Sequence, residues 1–383
     1  MSLLVTVTGP DHPGVTAGLM DVLAAQHAVV EDVEQVVVHG RLLLGLVVGT
    51  DDLPLRQALS AAAAGLAVSV EFERLDDAEP PAAVRHHIVV LGAPLPPAAI
   101  AGVARRLATC GANIERIDRL SSWPAQSFEL IVSGGDTARL RVELAAEAVA
   151  QQVDVAVEHA SIYRRAKRLV VMDVDSTLVQ GEVIEMLAAE AGCEAEVARV
   201  THAAMAGELD FEESLRARVQ LLAGLPVDAV NRVRAAVLLT PGARTLVRTL
   251  KRLGWTVGIV SGGFTAVTDD LRDELGLDHA VANVLEVVDG RLTGRLVGPV
   301  IDRAAKAAAL RRFAEAEGLL PEQTVAIGDG ANDLDMLEAA GLGIAFNAKP
   351  VVRDAADAAL SVPFLDAVLF LLGIPRDEVE QAV

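Results

Sequence analysis

The chain of 383 residues is long enough for two or three domains, and its 52% hydrophobic content is ample to bury a core in each. Asp and Glu outnumber Lys and Arg by 53 to 33, a formal charge of −20, and no basic block interleaved with aromatics offers a surface for nucleic acid. No cationic leader opens "MSLLVTVTGPD", no apolar run approaches the ~20 residues that span a bilayer, and Cys110 and Cys193 read as free thiols, so a cytoplasmic protein with no membrane or nucleic-acid partner is expected.

The first ~160 residues read as an internal repeat, because "HAVVEDVEQVVV" and "GANIERIDRLSS" share size and polarity at an offset of about 84 residues. In the first copy "LLVTVTG" alternates as a strand, "GPDHPG" turns the chain, and Val15, Leu19 and Leu23 space a helix over Val15 to Ala25. Two strands about His39-Gly40-Arg41, a helix near Pro54 to Ala64 and the strand "LAVSVEFERL" complete the order βαββαβ. The polar, proline-bearing stretch from Asp76 to Arg85 reads as a linker, and "HHIVVLG" starts the second copy. This order, with "TGPDHPGV" after the first strand, resembles the ACT domain, a ferredoxin-like module that often binds amino acids between paired copies. The resemblance implies ACT domains over residues 1–78 and 85–162, a ligand turn at Asp11 and Gly14, and a homodimer. The second copy reads "GAPLPPAAI" at that turn, with neither the acid nor the glycine, which marks it as degenerate.

From Leu169 the pattern changes to short apolar strands, "RLVVMDVD", "TVGIVSGG", "TVAIGDG" and "LGIAF", alternating with longer helices. Such strands predict a doubly wound parallel sheet with ligands at the strands' carboxyl ends. Asp173 and Asp175 stand at such an end, where one carboxylate can attack phosphorus and the other can shuttle a proton. Two negative charges beside a phosphate dianion demand a divalent cation and donors. Ser261, Gly262 and Gly263 in "IVSGG" offer a hydroxyl and amides, Lys306 offers an ammonium, and Asp329, Asn332 and Asp333 in "IGDGANDLDML" offer hard oxygen ligands. The four motifs in this order resemble those of haloacid dehalogenase superfamily phosphatases. The resemblance implies a Rossmann-like domain over residues 165–383, with Asp173 as nucleophile, Asp175 as general acid and base, and Lys306 neutralising charge. It further implies Ser261, Gly262 and Gly263 on phosphate, and Asp173, Asp175, Asp329 and Asp333 on Mg2+, Asp175 by its carbonyl. Asn332 would support that shell and meet the substrate.

The ~65 residues after Asp175 are helical in pattern and too long for a crossover, so a helical cap is expected over about 182–240. In it Glu182 and Arg218, with Phe211 nearby, have the charges to grip the ammonium and carboxylate of an α-amino acid that carries the phosphate. Taken alone these are also the charges of ordinary solvated helices. The stretches "DSTLVQGEVIEMLA" and "MAGELDFEESLRARVQLL" closely resemble the phosphoserine phosphatase family over residues 165–373. That resemblance implies Mg2+-dependent hydrolysis of O-phospho-L-serine to L-serine and phosphate through an aspartyl-phosphate, the last step of L-serine biosynthesis, with an amino acid acting at the ACT domains. The alternatives are a related phosphatase or phosphotransferase for another small phosphomonoester or for protein phosphoserine, and a catalytically dead serine-binding regulator.

Overall fold

In the computed structural model, which describes residues 2–75, 84–205 and 209–381, the chain divides into two units, Met1–Ala82 and Ala83–Val383. Most of the linker expected over residues 76–85, and part of the cap motif at 206–208, lie outside the described residues. The first unit is β1 (Ser2–Pro10), α1 (Val15–Ala25), β2 (Val30–Val38), β3 (Arg41–Val48), α2 (Leu53–Gly65) and β4 (Ser69–Leu75), an antiparallel sheet ordered β2-β3-β1-β4. Alternation decides its inner face: Leu3, Val5 and Val7 of β1 pack with Val15, Leu19 and Leu23 of α1 and with Leu55 and Leu59 of α2. Asp52 starts α2 as its cap, accepting the Leu55 amide at 2.8 Å.

The second unit begins with the same order again, β5 (Arg85–Gly92), α3 (Pro97–Thr109), β6 (Ala112–Ser121), β7 (Gln126–Gly134), α4 (Thr137–Gln151) and β8 (Asp154–His159), its sheet ordered β6-β7-β5-β8. Here both sheet faces are used. Ile88, Val90, Leu130 and Val132 face their own helices, while Val89, Leu91, Leu120 and Ala156 join one buried cluster with Leu365, Leu369 and Leu371 of the domain that follows. Ion pairs and charged donors seal the junction: Arg164 reaches Glu129 at 2.6 Å and Glu158 at 3.1 Å, and Lys167 donates hydrogen bonds to the backbone carbonyls of Glu322 and Gly341 at 3.0 Å.

The remaining elements are β9 (Leu169–Met172), α5 (Val183–Ala191), α6 (Glu194–Met205), α7 (Phe211–Gln220), α8 (Val227–Ala236), α9 (Ala243–Arg252), β10 (Thr256–Phe264) and α10 (Thr265–Leu275). After them come β11 (His279–Val288), β12 (Arg291–Val297), α11 (Arg303–Ala316), β13 (Thr324–Gly328), α12 (Leu334–Ala339), β14 (Gly343–Phe346), α13 (Pro350–Arg353), β15 (Ala358–Leu360), α14 (Val368–Leu371) and α15 (Arg376–Gln381). They build a seven-stranded sheet ordered β12-β11-β10-β9-β13-β14-β15. Central β9 is buried on both faces, Val170 and Met172 in one cluster and Leu169 and Val171 in the other, and each such side chain stabilises the fold by about 1.5–3 kcal/mol. The sheet has the expected parallel form from β11 to β15, and at one edge β12 is added antiparallel to β11. Asp289 and Gly290 link the two strands with φ of 50° and 72°, the left-handed pair that closes a two-residue hairpin. The hairpin braces the cap, since Leu292 exchanges backbone hydrogen bonds with Gly224 and Leu225 at 2.8 and 2.9 Å.

Candidate active site

Strands β9, β10 and β13 are neighbours, so the residues that follow each of them meet at one rim of the sheet. A left-handed Ser176, φ 56°, turns the chain back after Asp175, whose carboxylate then accepts the Val183 amide at 2.8 Å and the Ser261 hydroxyl at 3.1 Å. Ser261 Oγ in turn accepts the Gly263 amide at 2.7 Å. A β-carbon on Gly263 would lie 2.7 Å from the Asp175 carboxylate, and one on Gly262 would lie 3.2 Å from the Phe211 ring, so this end of β10 is crowded and favours glycine at both positions. From α11, fully buried Lys306 bonds Asp173 at 2.8 Å and Asp333 at 2.7 Å. Thr177 donates to Asp329 at 2.9 Å, and the Gly330 amide to Asp333 at 3.0 Å.

A cavity of about 470 Å³ opens above these groups. Its floor includes Asp173, Asp175, Asp329 and Asn332, with Gly262 and Gly263 at one side, and the cap supplies Glu182, Phe211 and Arg218. Ser261, Lys306 and Asp333 stand behind this lining and are fully buried. Asp11 and Gly14 belong to the other unit, in the exposed turn before α1, where Gly14 has φ 98°.

Burial works against every charge here. It pushes the Asp173 carboxyl up, reinforced by Asp333 and opposed by Lys306, and it pushes Asp175 up as well. It lifts Asp329 to about 6, with Asp333 adding to it, and Glu182 to about 7, with Asp175 and Asp329 adding to it. Burial opposes the Lys306 charge too, but contact with Asp173 and Asp333 outweighs it and holds the ammonium above its usual range. Oxygens of Asp173, Asp329 and Asp333 come within 4.8 Å of one another, and the Lys306 ammonium is bonded to two of them, Asp173 and Asp333. Such a set of hard, anionic oxygens fits a divalent cation of the magnesium type. The Asp175 carboxylate stands apart from that trio, turned to Ser261 and Val183.

The cavity also holds residues that the sequence motifs do not single out, among them Ser214 and Lys349. Ser214 was findable, because Phe211, Ser214, Leu215 and Arg218 recur at the spacing of one helix face and all four line the cavity. Lys349 follows β14 on an exposed turn and carries no comparable signal.

A parallel sheet with two strand-end aspartates, a buried lysine, a third acidic strand end and an inserted cap defines a haloacid dehalogenase-like hydrolase, and that family matches residues 170–338. ACT domain families match residues 1–73 and 84–158. The chain is 58% identical to a phosphoserine phosphatase of Streptomyces coelicolor over all of its own length and 94% of that protein. It is 53% identical to one of Mycobacterium tuberculosis, over all of its length and 95% of the relative. A solved phosphoserine phosphatase with a phospho-aspartyl intermediate analogue superimposes with a TM-score of 0.51 at 45% identity, covering 54% of this chain and 98% of that one. The chain belongs to the phosphoserine phosphatase family, as an enzyme with a haloacid dehalogenase-like domain and two ACT domains. Among the described residues no helix is long and apolar enough to cross a membrane.

Proposed function

We propose that this enzyme hydrolyses O-phospho-L-serine to L-serine and phosphate, with Asp173 as nucleophile and Asp175 as acid and base, in the cytoplasm as the last step of L-serine biosynthesis. The observation that carries the reading is one cavity with Asp173 and Asp175 on its floor and the opposite charges Glu182 and Arg218 on its cap wall. An oxygen of Asp173 attacks phosphorus, forming an aspartyl-phosphate as the bond to the serine oxygen breaks. Asp175, whose proton burial favours, gives that proton to the departing alkoxide and then takes one from the water that splits the acyl phosphate. Lys306 stays protonated against Asp173 and offsets charge that the attack develops. Magnesium held by Asp173, Asp329 and Asp333 with the Asp175 carbonyl would, when bound, screen the phosphate from this acidic floor. Asn332, Gly262 and Gly263 line the cavity where they can meet phosphate oxygens. Ser261 positions Asp175 and the Gly263 amide from behind and is assigned to the same phosphate-holding loop. Glu182 takes the substrate ammonium, Arg218 its carboxylate, and Phe211 packs over Gly262 beside them.

We further assign Asp11 and Gly14 to an L-serine site in the first ACT domain, within a homodimer that pairs through these modules, where β2 leaves Val33, Val36 and Val37 exposed. The central test is phosphate release from O-phospho-L-serine. The parent chain should turn it over only with Mg2+ present, and Asp173→Asn should lose at least about a thousandfold. Turnover by Asp173→Asn above that level, or equal rates in excess chelator, would refute the covalent, metal-assisted reading.

A further inference from the structure

We propose that Ser214 is a specificity-determining residue of this site, donating its hydroxyl to the carboxylate of the substrate beside Arg218. The inference rests on the amino-acid phosphate reading given above and extends it to a residue outside the four motifs. Ser214 is 2% exposed, lines the catalytic cavity, and its Oγ has no hydrogen-bond partner among the described residues. That is unusual for its position. A serine inside a helix ordinarily returns its hydroxyl to the carbonyl one turn back, and a buried hydroxyl without a partner costs about 1–3 kcal/mol. Here the carbonyl one turn back, that of Asp210, takes the Ser214 amide at 3.0 Å and leaves the hydroxyl unused. Ser214 lines the cavity wall but its Oγ has almost no accessible surface of its own, so the donation proposed here includes rotation of the hydroxyl about χ1 towards the ligand beside Arg218.

The geometry of α7 says which part of the ligand that is. Helical side chains lean toward the N-terminus, so Arg218 folds back over the turn that carries Ser214, and its Nε donates to the Ser214 carbonyl at 3.3 Å. The same residue therefore holds the guanidinium by its backbone and offers a hydroxyl next to it. A carboxylate presents about four lone-pair sites, of which a guanidinium fork fills two. A neutral hydroxyl adds a third donor without adding charge to a pocket that already holds Glu182. The ammonium of the substrate has Glu182, itself held by the Ser176 hydroxyl at 3.3 Å, as the complementary partner.

The test compares three phosphate esters on the full chain, in the parent and in Ser214→Ala: O-phospho-L-serine, phosphoethanolamine, which lacks the carboxylate, and phenyl phosphate, which lacks the whole head. Ser214→Ala should lower kcat/KM for phosphoserine about tenfold, mainly through KM, and change kcat/KM for each of the other two esters by less than twofold. Ser214→Cys, similar in shape and a poor donor, should reproduce the loss, and melting temperatures of both variants guard against misfolding. Equal losses on all three esters would assign Ser214 to packing and overturn the proposal. So would an unchanged preference for phosphoserine. A parent chain that does not prefer phosphoserine to phosphoethanolamine would overturn the amino-acid phosphate reading itself, an outcome visible before any variant is made.

Discussion

Glu182, which we assign to the substrate ammonium, differs from the other acids of the site in what its ionisation would control. Burial lifts its carboxyl to about 7, with Asp175 and Asp329 adding to the shift, so near neutral pH it is divided between an acid and a carboxylate. Only the carboxylate complements a substrate ammonium. Above pH 7 the ionised form dominates and binding is favoured; as pH falls through 7 Glu182 takes up a proton and the attraction is lost. The ratio of kcat/KM for phosphoserine to that for 3-phosphooxypropanoate, an alkyl ester that lacks only the ammonium, should therefore fall towards tenfold per pH unit below 7, since phosphate ionisation and the floor carboxylates affect two alkyl esters alike. In Glu182→Gln the ratio should be low and flat from pH 5.5 to 8.5. A ratio that still falls with acid in that variant would assign the titration to another group.

At the scale of elements, the cap depends on a support from the far edge of the sheet. Hairpin β11–β12 crosses the end of α7 at Gly294, whose φ is 80° and where a β-carbon would lie 2.9 Å from Ala223 and 3.1 Å from the Gln220 carbonyl. Gly294→Val should cost about 1–3 kcal/mol in urea unfolding. Because α7 carries Arg218 and Phe211, the variant should also raise KM for phosphoserine more than for phenyl phosphate. A stability loss with KM unchanged for both esters would show that the hairpin holds the fold without setting the cap. This brace was less legible in the sequence than the strands around the site. The ends of β9, β10 and β13 stand out because each apolar run is buried on both faces and meets Gly or Asp, at Asp173, Gly262 and Gly328. The hairpin had its own signal in Asp289-Gly290, but its strands are half exposed and alternate irregularly, with a register shift between Leu285 and Val287. Ser214 is legible by its position on the same helix face as Phe211 and Arg218, but its missing hydrogen bond is seen only in the folded structure.

For the whole molecule, the two ACT domains have unequal standing, and this decides how regulation is to be tested. The second has its outer sheet face buried with Leu365, Leu369 and Leu371, and Arg164, about 10% exposed, ties Glu129 and Glu158 across the junction. Burial alone would raise the Glu129 carboxyl, but His87 and Arg164 hold it below its usual range, so its contribution to stability is present at neutral pH and lost as pH falls through its lowered value. A chain begun near Arg164 would strip the cover of Val89, Leu91 and Leu120 from the cluster they share with Leu365, Leu369 and Leu371, and any lost activity would report damage rather than regulation. A chain begun at residue 84 removes only the first unit, which has its own core of Leu3, Val5, Leu19, Leu44 and Leu59. That shorter chain should keep phosphatase turnover in the absence of serine. If serine acts at the turn of Asp11 and Gly14, its inhibition constant should rise at least about tenfold both in this chain and in Gly14→Val, because an effector's influence is limited to its differential affinity for the two arrangements. Valine at φ 98° strains a turn that has open space around it, so the variant alters the backbone without a clash and the first core should stay folded. One inhibition constant shared by the parent, the variant and the shorter chain would place serine at the Asp173 cavity alone, as a product competing with substrate.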